Sequence, residues 1–437
     1  HVAVHELSMP VSDKIGGIEE NFERCMDVLA RWDEGASLQR MLEEDGVDVR
    51  VRNSLLTIFR RRASIDWLID EVASGKTKRP LRNLLRWAVC QVVPLRGIPG
   101  PVAVSFSVDM ARKHFGESTA RFVNALLRRV SDAEKDGSIG PWLARAPEWV
   151  RLELSKEMYD SWRRFLSHEQ LVELAEVMQQ PAPVTARLRR GYEVPETVAA
   201  SLDPIANAPF LQDLRFFAIR QPGTFFRHRS EWQGTFYIQD PATGLAPLMM
   251  RAVPGETVGD LCAAPGGKTI ILSERMEGRG LLLAADRSVP RLPKLRENFE
   301  TARIPVHVLA ADVSSGCIRP ATLDGALLDV PCSNSGVARR RPDVRWRYAK
   351  QDKAAIVELQ RNILEGVLPA VREGGRIVYS TCSIDPDENA EQVRSFVERH
   401  PACSLEDERQ LYPANHHDGA YAARIRVDTA QKSKREG

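Results

Sequence analysis

The chain has 437 residues, enough for about two or three domains of ordinary size. Its 61 Lys and Arg face 59 Asp and Glu, a net charge of +2, so bulk charge makes no case for nucleic acid and any such case must rest on local clusters. At 43% hydrophobic and 27% charged the composition is that of a soluble globular protein, and no apolar run approaches the roughly 18 residues that would span a membrane.

The start, HVAVHELSMP, lacks the basic-then-apolar pattern of a signal peptide. Seven cysteines without paired spacing argue for a reducing cytoplasm rather than a disulfide framework, and with no CxxC a metal site is not expected. Apolar residues then recur at helical spacing in SLLTIFRRRASIDWLIDEVA (54–73) and FVNALLRRV (122–130), around the Gly/Pro loop RGIPGPVAV (96–104). This predicts an all-α domain over residues 1–140, ending where EKDGSIGP breaks the pattern. Residues 141–235 read as linker helices, including EQLVELAEVMQQ, followed by a small α+β module. From about 236 to 430 short apolar runs alternate with helical stretches: TVGDLCA, GLLLAAD, VHVLAAD, GALLDV and GRIVYS. That rhythm predicts a largely parallel, doubly wound α/β sheet of Rossmann-like type. The tail TAQKSKREG is expected to fray.

The α/β segment carries the chemistry. In VGDLCAAPGGKT (258–269) a strand ends at Asp260, a Gly-rich turn follows, and a helix opens. Gly266 and Gly267 let backbone approach a ligand at a helix N-terminus, and Asp286, at the end of the next strand, is placed for ribose hydroxyls. The plain alternative is a tight turn and a surface carboxylate. Asp312 ends a third strand, where it suits either an adenine amino group or the cap of the next turn. With Asp260 and Asp329 these carboxylates rim one crevice at the C-terminal strand ends.

Two further strands run into cysteine: LLDVPCSNSG places Cys332, and IVYSTCS places Cys382. A free thiol has a pKa of about 8.5 and is mostly protonated at neutral pH without help. A thiolate that adds to C6 of a pyrimidine turns C5 into a nucleophile able to take a methyl group from a sulfonium. The bland reading is two inert buried cysteines. Both following strand ends beside the Gly turn favours the reactive one.

DLCAAPGGKT, LLDVPCSNSG and RIVYSTCSIDPDENAEQV resemble the motifs of S-adenosylmethionine-dependent RNA cytosine-C5 methyltransferases. GTFYIQDPATGLAP (234–247) resembles the segment before the cofactor turn. ARRRPDVRW (338–346) resembles the basic loop of the RsmB (Sun, Fmu) branch, the bacterial 16S ribosomal RNA enzymes. LRNLLRWAVCQVV, GIPGPVAVSFSVDMAR and ARFVNALLRRV look like the NusB-type RNA-binding domain of that branch. The resemblance spans roughly residues 20–427.

It implies Cys382 as nucleophile and Cys332 as the residue that assists release of the methylated base. It implies cofactor binding by Cys262, Ala263, Ala264, Pro265, Gly266, Gly267 and Lys268, with Asp286, Asp312 and Asp329. Asp329 is also expected at the cytosine ring, near N3. The implied partner is 16S ribosomal RNA or a small-subunit assembly intermediate. There are two departures: the usual SGTG after the PC motif reads SNSG (Ser333 to Gly336), and DGAYAARIRV lacks the usual double aromatic after Gly419.

Local charge points to RNA contacts at Arg339, Arg340, Arg341, Arg345 and Arg347 around Trp346, through phosphate pairing and base stacking. FRRR (59–62) and KTKRPLR (76–82) suggest a second basic surface. Competing readings are the same chemistry on transfer RNA, a non-catalytic RNA-binding assembly factor, and a nicotinamide-dependent dehydrogenase. The last lacks GxGxxG and leaves the two cysteine loops without a purpose.

Overall fold

A computed structural model describes residues 11–44, 47–73, 75, 77–95, 97–206, 209–211 and 213–428. HVAVHELSMP, TAQKSKREG and Lys76 lie outside them. The chain divides into two compact units. One runs to Arg164 and takes in Arg341–Ala349; the other holds Phe165–Arg340 and continues from Lys350.

The first unit is helical. Its long helices are Val11–Asp33, Val49–Arg60, Arg62–Val72, Arg79–Val92, Gly100–Phe115 and Glu117–Lys135. Local chemistry sets their starts: Asp48 accepts from the N–H groups of Arg50 and Val51 at 2.8 and 2.9 Å, and Pro80 occupies the first turn of its helix. Their apolar faces meet in one core that includes Phe22, Trp32, Leu55, Phe59, Trp87 and Leu127, with Phe22 edge-on to Trp87 at 5.1 Å.

This unit extends beyond the expected limit at 140 because its core is not closed there. Glu153, held at φ +56°, accepts from the N–H groups of Ala63 and Ser64 at 3.1 and 3.3 Å and so caps the helix Arg62–Val72. Burial pushes its carboxyl up to about 7. The returning segment Arg341–Ala349 completes the packing. Trp346 joins the apolar cluster, and the Trp32 indole N–H donates to Asp343 at 3.3 Å.

In the second unit a short antiparallel sheet precedes a larger one. The first comprises β1 (Thr185–Leu188), β2 (Leu202–Pro204), β3 (Arg215–Ile219) and β4 (Phe236–Ile238), in the order β2-β3-β1-β4. The second comprises β5 (Thr257–Asp260), β6 (Leu281–Asp286), β7 (His307–Ala310), β8 (Leu323–Asp329), β9 (Val371–Thr381), β10 (Cys403–Leu411) and β11 (Ala420–Val427). Its order is β10-β11-β9-β8-β5-β6-β7. Strands β7, β6, β5, β8 and β9 run parallel, and β11 and β10 close the sheet antiparallel.

This is a Rossmann-like mixed sheet. From β5 the chain first builds outward through β6 and β7, then returns to build β8 and β9 on the other side. The reversal between β5 and β8 opens a crevice at the C-terminal strand ends. Strand β8 is buried on both faces from Leu323 to Leu328, which is why its sequence is apolar there apart from the buried Asp324. The wholly buried Arg187 of β1 reaches Glu274 at 2.6 Å and fastens the small sheet to the helix Gly267–Arg275.

Candidate active site

Five strand ends supply the site, and each side chain follows from where its strand stops. At the end of β5, Asp260 is 1% exposed. One of its oxygens accepts from Thr269 Oγ1 at 2.7 Å. The other, Oδ1, has no side-chain partner among the described residues, and the Cys262 N–H acts on the carboxyl from the backbone. Burial pushes this carboxyl up to about 7, against the opposing pull of Thr269 and Lys268.

The turn Cys262–Lys268 is held down by its backbone. Ala263 N–H donates to the Ala285 carbonyl at 2.9 Å, and Ala264 N–H donates to Asp286 at 3.2 Å. Gly266 lies at φ +105°, and a Cβ there would sit 2.7 Å from the Phe299 ring. A Cβ on Gly267 would meet Tyr237 at 2.8 Å. Only glycine fits this path. The helix Gly267–Arg275 then starts with its N–H groups at the crevice.

Asp286 is nearly buried and accepts from Ser288 N–H at 2.8 Å as well as from Ala264. Asp312 is exposed and caps its own turn, accepting from Ser314 N–H at 3.1 Å and Ser314 Oγ at 2.6 Å. Of its two sequence readings, the capping one describes its contacts. Lys268, expected in the cofactor turn, points its Nζ to Asp329 at 2.6 Å. Burial lowers the affinity of this ammonium for its proton, but Asp329, with Asp260 and Cys382, outweighs burial and leaves its pKa raised.

The two cysteines meet. β8 and β9 are neighbours in parallel register, Asp329 opposite Ser380, and the loops beyond them bring Cys332 Sγ to 3.3 Å from Cys382 Sγ. The hydrogen bond to Cys382 is the main cause that raises the Cys332 pKa well above its usual value, and burial adds to it. Either thiol can be the donor in this contact.

Behind the thiols lies a polar network that the sequence did not reveal. Glu388 accepts from Ser333 N–H at 2.8 Å, Ser383 Oγ at 2.9 Å and Gln360 Nε2 at 3.1 Å, so one carboxylate holds both cysteine loops. Asp385 bonds Lys353 at 2.8 Å and also receives Ser335 and Ser383 hydroxyls. Ser335, one of the SNSG departures, is thus fully used in packing the loops. Apolar patterning carries no signal for such residues. Their only trace is a run of acids, Asp385, Asp387 and Glu388, just after TCS.

Most side chains of the arginine cluster bond within the protein itself. Arg339 is 7% exposed and donates to the carbonyls of Gln180, Pro181, Ala414 and Asn415. Arg340 pairs with Asp418 and Asp240, each at 2.9 Å. Arg345 is wholly buried and donates to the carbonyls of Glu153 and Arg60. Trp346 donates to the Phe59 carbonyl at 2.7 Å, and Arg347 bonds the carbonyls of Gly35 and Ala36. Only Arg341 among the five arginines is exposed. The second basic surface shrinks likewise: Arg62 lies over the Trp32 ring at 4.8 Å, and Arg82 is bonded to Asp66 and Asp70.

The chain is similar to known proteins in both units. Residues 247–426 match the family described as 16S rRNA methyltransferase RsmB/F, and residues 23–132 match the NusB family. The chain is 30% identical to the probable ribosomal RNA small subunit methyltransferase B of Synechocystis sp., over 78% of this chain and 79% of that one. It is 32% identical to the ribosomal RNA small subunit methyltransferase B of Vibrio cholerae, over 75% of this chain and 76% of that one. It is similar in fold to the crystal structure of PH0851, with a TM-score of 0.73 and 21% identity, covering 96% of this chain and 99% of that one.

Proposed function

The chain belongs to the 16S rRNA methyltransferase RsmB/F family, and on that premise we propose that it methylates C5 of a cytosine in 16S ribosomal RNA through a covalent bond between Cys382 and C6 of the base. It is an S-adenosylmethionine-dependent rRNA methyltransferase. The observation that carries the finer reading is the contact of Cys332 and Cys382 at 3.3 Å, beside the Lys268–Asp329 pair and the Gly-rich turn.

The crevice fits S-adenosylmethionine. The buried Asp260 Oδ1 calls for a hydrogen-bond donor, and the two glycines keep the turn clear of side chains. The turn Cys262–Lys268, Asp260 and Asp286 would hold it, with Asp312 and Asp329 at the rim. S-adenosylmethionine supplies the methyl on a sulfonium, an electrophile that leaves as a neutral thioether.

The chain's own residues supply the rest. Cys382 sulfur adds to C6, and the displaced electron pair makes C5 the nucleophile that bonds the methyl carbon. Before attack the Cys332 S–H stabilises the Cys382 thiolate, and Lys268 lends it positive charge. Asp329 is at the polar edge of the ring and holds the Lys268 ammonium there, whose charge offsets the negative charge that gathers at N3 once sulfur has added. When Cys382 is bonded to carbon its charge is gone, and with it a principal cause holding the Cys332 proton. Cys332 then yields that proton to water and accepts the one on C5. The C6–S bond breaks and Cys382 leaves as thiolate. The target cytosine must be unpaired or flipped from its stack to reach these thiols.

The substrate is 16S ribosomal RNA or a small-subunit assembly intermediate, and the NusB-like residues 23–132 support an RNA-binding role for the first unit. Bisulfite sequencing of ribosomal RNA with and without the gene tests this: one cytosine in 16S RNA loses its protection in the deletion. An unchanged ribosomal pattern, or a loss confined to transfer RNA, overturns the ribosomal assignment.

A further inference from the structure

Asn334 stands where the family segment SGTG has glycine, and its backbone keeps a glycine-like conformation, φ +63° and ψ 22°. Left-handed backbone favours glycine, and among other residues asparagine bears it best. Glycine would fit here without strain, so the side chain must do something that glycine cannot. Its amide bridges the two cysteine loops. Nδ2 donates to the Cys332 carbonyl at 2.9 Å, and Oδ1 accepts from the Cys382 thiol at 3.3 Å. The first bond fixes which way the amide points: with Nδ2 committed to a carbonyl, oxygen faces sulfur.

We propose that Asn334 is a positioning residue that holds the Cys382 thiol in its attacking orientation and keeps it protonated until substrate arrives. An amide oxygen attracts S–H and repels a thiolate, so it opposes premature ionisation. The groups acting the other way on Cys382 are the Lys268 ammonium from the helix Gly267–Arg275 and the Cys332 S–H from the neighbouring loop. Asp329 lies behind Lys268, and Asp385 and Glu388 lie on the far side of the serine network. Asn334 thus shields the nucleophile from stray electrophiles in the resting protein and confines its rotation. This inference rests on Cys382 being the nucleophile.

The test compares Asn334→Gly and Asn334→Asp with the parent chain by two readouts. One is the rate of iodoacetamide alkylation of Cys382 against pH, followed by peptide mass. The other is the methylation kcat with KM for S-adenosylmethionine. In Asn334→Gly, alkylation at neutral pH should rise about threefold or more and its pH profile should move to lower pH, since the acceptor that favours the thiol is gone. Its kcat should nevertheless fall about tenfold from lost orientation, with KM unchanged. Asn334→Asp places a carboxylate against the sulfur and should slow alkylation below the parent. A space-filling role would move neither profile, and that result overturns the proposal. So does a parallel fall of alkylation and kcat in Asn334→Gly. Alkylation needs no turnover, so it reports on Asn334 even if Cys382→Ala were to retain methylation and refute the nucleophile assignment itself.

Discussion

Arg345 donates to the backbone carbonyl of Glu153 at 3.1 Å across 192 residues of chain, and the Arg345 side chain is wholly buried. The guanidinium also reaches the Arg60 carbonyl at 3.3 Å, so it ties the end of one helix to the loop that caps the next. Within an arginine run that resembles a phosphate clamp, Arg345 is part of the core of the helical unit.

Arg345→Met should therefore destabilise that unit by about 2–4 kcal/mol, the cost of leaving buried carbonyls without a charged donor. Chemical denaturation of the full chain measures it. A fragment ending at residue 140 lacks both Glu153 and the returning segment and should not unfold cooperatively. A fragment ending at 164 should gain thermal stability when a peptide of residues 339–351 is added. Equal stability with and without the peptide would show that the segment is dispensable.

Asp286→Ala should weaken S-adenosylmethionine binding by about 1–3 kcal/mol, the value of a hydrogen bond to a charged group. Part of that loss comes from the turn itself, because Asp286 also holds Ala264 N–H. Asp312→Ala should cost less, since Asp312 is exposed and its contacts are with its own turn. Calorimetry on the two variants decides the ranking, and equal losses would contradict it.

The contrast between these residues shows what the sequence conveys. The placement of Asp286, Cys332 and Cys382 at strand ends is legible because each follows an apolar run at a point where a parallel sheet must stop, and position along a strand is a local property. Arg345 was not legible as core, because a basic run reads the same whether phosphates or backbone carbonyls accept its protons. The reach of the helical unit to Arg341–Ala349 was hidden for a related reason: no local pattern announces a contact made across so much chain. Glu388 and Asp385 look like surface acids until burial and their serine partners are seen. The sequence places Lys268 in the cofactor turn through its neighbours alone and carries no sign that its Nζ lies on Asp329.

Affinity for S-adenosylmethionine should rise with pH through about 7. Burial raises the Asp260 carboxyl from the usual 3.8 to about 7, so below that pH the free protein carries it neutral. A cationic ligand favours the ionised form and must displace the proton. The sign for stability is opposite. A folded-state pKa above the unfolded value contributes stability that is fully present below about 4 and is lost as pH rises through about 7. Binding enthalpies in two buffers of different ionisation enthalpy should show proton release at pH 6 and little at pH 8. Asp260→Asn should abolish the difference, and an unchanged difference would assign the proton elsewhere.

The two active-site cysteines should fail in different ways. Cys382 follows β9 directly, and its sulfur lies 3.3 Å from Cys332 Sγ and in the field of the Lys268 ammonium. Cys382→Ala should abolish methylation and form no covalent complex with RNA. The Cys332 thiol has its pKa raised by the contact with Cys382 and by burial, and its proposed task begins only after Cys382 has bonded to C6. Cys332→Ala should therefore still attack and methylate, but the C5 proton has no base within reach and sulfur cannot leave. The product stays attached. Denaturing gel electrophoresis with substrate RNA should show a band of RNA-linked protein for Cys332→Ala, little for the parent, and none for Cys382→Ala or the double variant. At a separation of 3.3 Å either sulfur could reach the same ring carbon and either thiol can be the donor, so the two variants, not the geometry, assign the attack. A band with Cys382→Ala and none with Cys332→Ala would reverse the two roles. Full activity in both single variants would make the cysteines structural and remove the covalent step altogether.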